Sequence, residues 1–252
     1  MTELEALREN VISTYLALGS ATKDSRIENT PEYIICRSTF RHPIANFAIS
    51  LNASEKGLEK LMKIANEAPH FRIHQMSGDT AEGLDLKLKQ NGLTRFHELT
   101  GMILRNPPQK TQNLAHLVPK NKVVEVASFM VEHFFWGSSK PLKTELASTV
   151  ASVDTLKQRF YAAKEGENLV AAGTLVLTDN AVGVYNICVR TDRRRRGIGS
   201  EIVRQLSAIA VKEGKQVVLQ CDPSLVSWYR KLGYEAIGKL VTWGKKEKPS
   251  NF

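Results

Sequence analysis

The chain has few cysteines and no long apolar run, and each shortage excludes a class of protein. Its 252 residues contain three cysteines, Cys36, Cys188 and Cys221, with no Cys-x-x-Cys spacing. Neither a disulfide framework nor a zinc site is therefore predicted, and a reducing compartment, the cytoplasm, is expected. Nowhere does the chain carry the ~20 consecutive apolar residues of a transmembrane helix, so no membrane partner is expected.

Acidic residues are also in the minority. Lys and Arg number 35 against 26 Asp and Glu, which gives a formal net charge of +9. This balance is compatible with nucleic acid, an anionic membrane surface or a polyanionic small molecule, and it does not specify a fold. The length allows one large domain or two of ordinary size, each with a substantial core.

The most informative stretch, residues 184–200, runs from a strand through an arginine-rich turn into a helix. Residues 184–189 are mostly β-branched or aromatic, and apolar residues recur at helical spacing from Ile198 to Ala210. Between them, Gly197 and Gly199 let a ligand approach the backbone closely. A helix N-terminus favours anions by about 0.3–1 kcal/mol per contact, and neighbouring guanidinium groups add to its field. The stretch therefore predicts an anion site, and a diphosphate is the expected ligand.

Two motifs here resemble those of the GNAT superfamily, the acetyl-CoA-dependent N-acetyltransferases. Residues 194–199, Arg-Arg-Arg-Gly-Ile-Gly, fit its pyrophosphate motif of Arg or Gln, two residues, Gly, one residue, and Gly or Ala. Val189 stands where the family's preceding strand ends in Val. Residues 229–234, Tyr-Arg-Lys-Leu-Gly-Tyr, resemble the Tyr, three residues, Gly, aromatic signature after the fifth strand. Rossmann nucleotide sites also use glycine turns, but Arg194 and the Tyr229 signature do not belong to that pattern.

The resemblance implies an acetyl-CoA site that needs no metal. It assigns cofactor binding to the end of the fourth strand, the turn, the helix start and one position after the fifth strand. These residues are Ile187, Cys188, Val189, Arg194, Arg195, Arg196, Gly197, Ile198, Gly199, Ser200 and Asp222. In the family the fourth strand splays from its neighbour, so its backbone groups can bind the pantetheine arm. An N–H of Ile187 or Cys188 is expected to hold the oxyanion.

Each of these assignments has a simpler alternative. The arginine run could be a solvated or nucleic-acid-binding charge cluster. The Cys188 thiol is expected to pack in the strand and not to act as a nucleophile. Asp222 stands where many relatives have Asn, and Leu225 where a small residue is usual, which puts the pose of this segment in doubt.

Tyr229 occupies the position of the family's usual general acid, which protonates the departing CoA thiolate. A buried tyrosine with a satisfied hydroxyl is the alternative. No general base is visible, because residues 181–189 contain no carboxylate where relatives often have Glu. Glu132 and His133 on a predicted helix are candidates, and a water held by Tyr185 or Asn186 is an equal one.

Three aromatic residues follow these candidates, and their place in the fold is open. They could line the bottom of an acceptor pocket, or they could pack in the core. These residues are Phe134, Phe135 and Trp136. The pH–rate profile is expected to follow the deprotonation of the amine itself, since a protonated amine has no lone pair for attack.

The resemblance also implies an α/β (α+β) architecture, a GNAT fold whose mixed central sheet is flanked by helices, with a second GNAT-like domain. Residues 86–93 with the strand 100–104 parallel residues 227–234 with the strand 240–243, and each set is a short helix, a Gly turn and a closing strand. The first copy lacks the arginine–glycine turn, so it is expected to be degenerate and to bind no CoA. An unrelated α+β cap is the alternative.

The predicted domains follow from this repeat and from a polar linker that contains a Pro pair. They are a degenerate GNAT-like N-terminal domain (1–106), the linker (107–112), a catalytic GNAT domain (113–246) and a frayed tail (247–252). Ser54 is predicted to cap a helix that continues to about Ala68.

Together these features predict an N-acetyltransferase. It would move the acetyl group of acetyl-CoA to a primary amine of a small molecule or peptide by direct transfer in a ternary complex, with the N-terminal domain helping to wall the acceptor site. A non-catalytic CoA-binding sensor or interaction module is the alternative, favoured by the missing carboxylate. The expected partners are the CoA thioester and the amine; nucleic acid is not expected, and a homodimer is left open. The acceptor is not specified, since function lies in the site and not in the fold.

Overall fold

The computed structural model describes residues 1–80, 83–154 and 157–246 of the chain. The first elements are α1 (Glu3–Ser20), β1 (Arg26–Asn29), β2 (Ile34–Arg37), β3 (Phe47–Ile49), α2 (Glu55–Glu67), β4 (Arg72–Met76), α3 (Leu84–Gln90) and β5 (Thr94–Leu104). They are followed by β6 (His116–Leu117), α4 (Val123–Phe134), α5 (Lys140–Ala151), β7 (Gln158–Glu165), β8 (Asn168–Leu177), β9 (Ala181–Val189), α6 (Ile198–Val211), β10 (Gln216–Cys221), α7 (Val226–Arg230) and β11 (Tyr234–Gly244). The predicted tail 247–252 lies outside the described residues. No helix within the described ranges has the length and apolar character needed to cross a membrane.

The contacts within the chain divide it into two compact units, and neither is continuous in sequence. The larger unit contains residues 1–14 and 101–237, and the smaller unit contains residues 15–100 and the chain from 238 onward. The predicted boundaries differ, since they assign residues 1–106 to one domain and residues 113–246 to the other. The structure thus groups the start of α1 with the larger unit and the C-terminal part of β11 with the smaller one.

The start of α1 joins the larger unit through polar contacts that apolar periodicity does not reveal. The fully buried Asn10 donates its side-chain amide to the carbonyl oxygen of Val176 at 3.0 Å. The Glu9 carboxylate accepts the backbone N–H of Asp179 at 3.1 Å and the side-chain amide of Asn180 at 2.7 Å. A buried amide requires such partners, so these bonds fix the helix to the turn between β8 and β9.

The C-terminal half of β11 belongs to the smaller unit. Residues 240–243 pair antiparallel with residues 73–76 of β4. Trp243 is fully buried in that unit's core, and its indole N–H donates to Gln75 Oε1 at 2.9 Å. β5 is divided in the opposite order: its residues up to 100 belong to the smaller unit, and its residues from 101 onward belong to the larger unit. The two strands that close the predicted repeat therefore each contribute to both units.

Within the smaller unit the strand order is β1-β2-β3-β4-β11. β3 and β4 are parallel and are connected by α2. The predicted cap is confirmed, since the Ser54 side chain accepts the Gly57 N–H at 3.1 Å. β1 was not predicted because all four of its residues are exposed and only one of them, Ile27, is apolar.

Within the larger unit the strand order is β5-β10-β9-β8-β7-β6. The β9–β10 pair is parallel, whereas β6–β7, β7–β8 and β8–β9 are antiparallel. Successive residues of β8 point to opposite faces, with Ala171 in the core under α6 and Ala172 in the core under α4. The predicted mixed sheet flanked by helices is thus confirmed.

Candidate active site

β9 and β10 are parallel neighbours only where they begin. Their register pairs residues 181–183 with residues 216–218, and the described chain shows no further pair, although β9 continues to Val189 and β10 to Cys221. The strands therefore separate beyond Gly183, as the resemblance implied. The free edge of β9 presents backbone N–H and C=O groups to this gap.

A β-bulge near the end of β9 accounts for the separation. Ala172 pairs with Cys188, but Thr174 pairs with Tyr185, so β9 has one extra residue here. Asn186 has φ of 55°, a left-handed conformation that Asn tolerates better than most residues. Its side-chain amide donates to Thr174 Oγ1 at 3.2 Å and holds this conformation. Because bulges increase twist and bend the strand, the end of β9 turns away from β10.

The separation opens a cleft of about 640 Å³ within the larger unit. Its walls comprise residues 187–189 of β9, residues 193–195 and 197–200 of the turn and α6, Leu225, Trp228 and Tyr229 around α7, and His133 and Phe134 of α4. All predicted cofactor-binding residues except Arg196 and Asp222 are among them. Tyr229 lies on the same surface, so the structure brings the predicted binding and catalytic groups together.

Arg196 and Asp222, both predicted to bind the cofactor, lie outside the cleft. The Asp222 carboxylate accepts the backbone N–H of Ser224 at 2.9 Å and its hydroxyl at 2.6 Å, so it caps the turn before α7. Arg196 lines a separate pocket together with Glu165. The pKa of the Glu165 carboxyl is lowered, chiefly by a hydrogen bond from Arg193, and the charge of Arg196 adds to this effect.

The arginines of the turn differ in how far their charges are compensated. Arg193 binds Glu165 at 2.8 Å and Asp192 at 3.1 Å, which neutralises much of its charge. Arg194 donates its Nε–H to the carbonyl oxygen of Val189 at 3.1 Å and so fixes the turn to the end of β9. Arg195 lines the cleft and forms no ion pair with the described residues. The Nη groups of Arg194 and the guanidinium of Arg195 therefore supply the positive charge available to a ligand.

The N-terminus of α6 opens on the same end of the cleft. Gly197 precedes the helix with φ of 81°, a conformation that glycine adopts at no steric cost. A Cβ placed on Gly197 would meet no atom within 4 Å. Among the described residues no side chain caps this helix, so the N–H groups of its first turn remain available to an anion.

The Tyr229 side chain is 6% exposed and lies among aromatic rings. Its ring makes edge-to-face contacts with Trp228 at 4.5 Å and Tyr234 at 5.9 Å between centroids. Within the described chain its hydroxyl has no hydrogen-bond partner, whereas Tyr234 Oη lies 2.6 Å from Ser207 Oγ. The buried tyrosine whose hydroxyl has a hydrogen-bond partner is therefore Tyr234 and not Tyr229. Burial raises the pKa of Tyr229, so its phenol stays protonated and can donate into the cleft.

Of the two side chains considered as a base, the structure places only His133 against the cleft. Its Nδ1 lies 2.7 Å from the carbonyl oxygen of Phe129, which must accept, so the neutral ring carries its lone pair on Nε2. The Glu132 carboxylate instead binds Lys143 Nζ at 2.6 Å. Cys188 lines the cleft as well, but burial raises the pKa of its thiol to about 12, which disfavours the nucleophilic thiolate.

The three aromatic residues at and after the end of α4, 134–136, are not core residues. Phe134 lines the cleft and is 48% exposed, and Trp136 is 83% exposed. Leu225 also lines the cleft and is exposed. The lining residue that sequence reasoning missed is Trp228. Its only signal was its place beside Tyr229 on a short helix.

Comparisons of sequence with known proteins identify the segment that carries this site. Residues 157–236 match the family model of an acetyltransferase (GNAT) domain. The uncharacterized N-acetyltransferase YobR of Bacillus subtilis is 30% identical over 84 residues, which cover 32% of this chain and 34% of YobR. The match therefore spans about a third of the length of that relative.

Comparisons of structure extend the likeness to nearly the whole chain. A GCN5-related N-acetyltransferase from Kribbella flavida has a TM-score of 0.67 and 14% identity, covering 95% of this chain and 96% of its own. A tandem GNAT protein from the clavulanic acid biosynthesis pathway has a TM-score of 0.58 and 13% identity, covering 97% and 94%. At such identities the likeness shows a shared fold, and it includes the smaller unit.

Proposed function

We propose that the chain is an acetyltransferase of the GNAT superfamily, as the match of residues 157–236 to the family model supports, and that it transfers the acetyl group of acetyl-CoA directly to a primary amine of a small molecule or peptide in a ternary complex. The observation that carries the proposal is the single cleft lined by the arginine turn, the free edge of β9 and Tyr229. When bound, acetyl-CoA supplies an activated acyl group as a thioester. The three cysteines are free and buried, which supports the cytoplasm as the place of the reaction.

The residues of the cleft fit this cosubstrate. Arg194, Arg195 and the uncapped N-terminus of α6 would hold the diphosphate, because all three present donors or positive charge at one end of the cleft. The edge of β9 offers backbone groups to the amides of the pantetheine arm. Val189 contributes to this edge, although its carbonyl oxygen already accepts a bond from Arg194.

The register of β9 distinguishes between the two N–H groups considered for the oxyanion. The Arg190 N–H donates to the Val170 carbonyl at 2.8 Å, and Cys188 pairs with Ala172 two residues earlier. Bonded and non-bonded pairs alternate in an antiparallel ladder, so the Cys188 N–H is directed at β8. We therefore assign oxyanion stabilisation to the N–H of Ile187, which follows the bulge.

Two side chains would move protons during the transfer. The neutral Tyr229 phenol donates its proton toward the departing thiolate. Nε2 of His133 accepts the proton that the amine loses when it attacks. A positioned acid or base of this kind contributes about 10²–10⁴-fold to the rate.

Replacing His133 by Gln should lower kcat about 10²-fold, because the lone pair on Nε2 is lost. Glu132→Gln is the matched control on the adjacent residue, and it should change kcat by less than about twofold, since this carboxylate is bound to Lys143. Thiol release with a saturating amine measures both variants. A large loss in Glu132→Gln, or none in His133→Gln, would show that the base is misassigned.

Binding alone would not establish catalysis, because a CoA sensor would bind equally well. Calorimetry with acetyl-CoA, with and without competing DNA, tests the cofactor site, and a thiol-release screen of amines, polyamines, amino acids and peptides tests transfer. Binding without release by any amine would favour the sensor. The pairing of Arg193 with Glu165 and Asp192 argues against nucleic acid, since it removes positive charge from the run.

The smaller unit should bind no CoA, and one acetyl-CoA should bind per chain. Its residues 50–54, Ser-Leu-Asn-Ala-Ser, have neither arginine nor glycine before α2. Ser54 caps α2, and the Glu32 carboxylate accepts the Ser54 N–H at 3.0 Å. A carboxylate of the chain itself therefore occupies the end of α2 where an anion would bind.

Calorimetry with acetyl-CoA gives the stoichiometry directly. The Arg194→Ala variant should weaken the single binding event of the whole chain. A second event that survives in Arg194→Ala would refute the prediction, because it would have to come from another site.

A further inference from the structure

The indole of Trp228 connects two walls of the cleft. Its Nε1–H donates to Ser200 Oγ at 3.1 Å. Ser200 lies in the first turn of α6, and Trp228 lies on α7 directly before Tyr229. Both residues line the cleft. One hydrogen bond therefore links the anion-binding helix to the helix that carries the proposed acid.

Trp228 also contacts the ring of Tyr229. The two rings meet edge to face with centroids 4.5 Å apart and planes inclined by 68°, a favourable arrangement for aromatic pairs. α7 has only five residues. A helix this short does not hold its own conformation, so its orientation depends on contacts such as these.

The Ser200 hydroxyl can transmit the presence of an anion to the indole. A hydroxyl has two lone pairs and one proton, and the Trp228 N–H uses one of the lone pairs. Among the described residues nothing accepts the proton of Ser200. An anion at the start of α6 would accept it, and hydrogen bonds in a chain strengthen one another.

We propose that Trp228 is a positioning residue for the proposed acetyl transfer: through Ser200 it couples the occupied anion site to the placement of the Tyr229 hydroxyl. The inference rests on the proposed function for its kinetic consequence, but the hydrogen bond and its response to CoA do not depend on turnover. The indole N–H carries the coupling to Ser200. Phe at position 228 would keep an aromatic ring beside Tyr229 and lose this donor.

The coupling can be tested without turnover. The indole N–H signals are measured in ¹H–¹⁵N spectra of the ligand-free protein and of the protein with CoA alone. The chain has three tryptophans. Ser200→Ala should shift the Trp228 indole signal and speed its exchange with water, and CoA should shift it in the parent protein. Trp136, which is exposed, and Trp243, which is bonded to Gln75, should keep their signals. A Trp228 signal that stays unchanged in Ser200→Ala, or at saturation with CoA, would overturn the proposal.

Kinetics test the consequence for Tyr229. Trp228→Phe should lower kcat about 10-fold or more, and the Kd of acetyl-CoA should stay within about threefold, because misplacement of a reacting group lowers turnover and not binding. Trp136→Phe, outside the cleft, should behave as the parent. In a Tyr229→Phe background, Trp228→Phe should cause no further loss, whereas an equal further loss would refute the positioning role. Failure of every amine to react would refute the proposed function instead, and the spectral test would still decide the coupling.

Discussion

Tyr229→Phe should lower turnover about 10²–10⁴-fold and leave the Kd of acetyl-CoA within about threefold. The substitution removes only the hydroxyl, which has no partner among the described residues. The ring contacts with Trp228 and Tyr234 remain. The change therefore removes a proton donor without opening a cavity or leaving a buried partner unpaired. Thiol release gives kcat, and calorimetry gives the Kd.

The pH dependence of the same step follows from the direction of the Tyr229 pKa. Burial raises it above the ordinary tyrosine value of about 10. The protonated form is complete below the raised pKa and is lost only above it, so Tyr229 should cause no fall in rate below about pH 10. The rising limb at lower pH should follow the deprotonation of the amine, and it should persist in the residual activity of Tyr229→Phe.

Tyr234→Phe is the matched control for the loss of a buried hydroxyl. It leaves the buried Ser207 hydroxyl without this partner and should cost about 1–3 kcal/mol of unfolding free energy, with kcat unchanged. Undiminished turnover in Tyr229→Phe, or an equal loss in Tyr234→Phe, would contradict the role of Tyr229 as the acid.

The anion-binding turn could be predicted from sequence because its signals are local. A strand pattern, two glycines and a helix pattern follow one another within residues 184–210, and nearby residues specify each of them. The structure places α6 and the cleft there. α4 likewise has the bounds that its apolar stripe indicates, since periodicity reports the face that a helix buries.

The unit to which each end of the chain belongs could not be predicted from local signals. The start of α1 is held in the larger unit by the amide of Asn10 and the carboxylate of Glu9, whose partners lie more than 160 residues away. β11 is divided between the units, and its pairing with β4 depends on register and not on local pattern. Long-range polar contacts and strand partners leave no periodic trace in a single sequence.

The directions of the side chains within the arginine run could not be predicted from the sequence either. Arg194 holds the Arg or Gln position of the motif, whereas Arg195 and Arg196 fill its two unspecified positions, so the motif does not distinguish these two. Arg195 has φ of 62°, a left-handed conformation that alters the direction of the chain. The structure consequently directs Arg194 and Arg195 to the cleft and Arg196 to the pocket that contains Glu165.

This difference makes Arg196→Ala the control for the affinity of the turn. Arg194→Ala should cost about 1.5–3 kcal/mol of acetyl-CoA binding, as expected for a lost charge-assisted hydrogen bond. The Kd should then rise roughly 10- to 150-fold. Arg196→Ala changes the net charge equally but lies outside the cleft, so its Kd should stay within about threefold. Calorimetry at two salt concentrations separates a direct contact from a general charge effect, because only distant exposed charges are strongly screened.

The backbone of the turn should matter as much as its charge. Gly197→Ala introduces no clash, but a side chain at φ of 81° is strained by about 1–3 kcal/mol, and relief of that strain would move the N–H groups of α6. We expect the Kd of acetyl-CoA to rise at least about 10-fold. Gly166→Ala is the matched control, since Gly166 also has a positive φ, of 60°, and open space around it, in the turn between β7 and β8. Both variants should lose thermal stability, and only Gly197→Ala should lose affinity. Equal affinities in the two variants would show that the N-terminus of α6 does not hold the diphosphate.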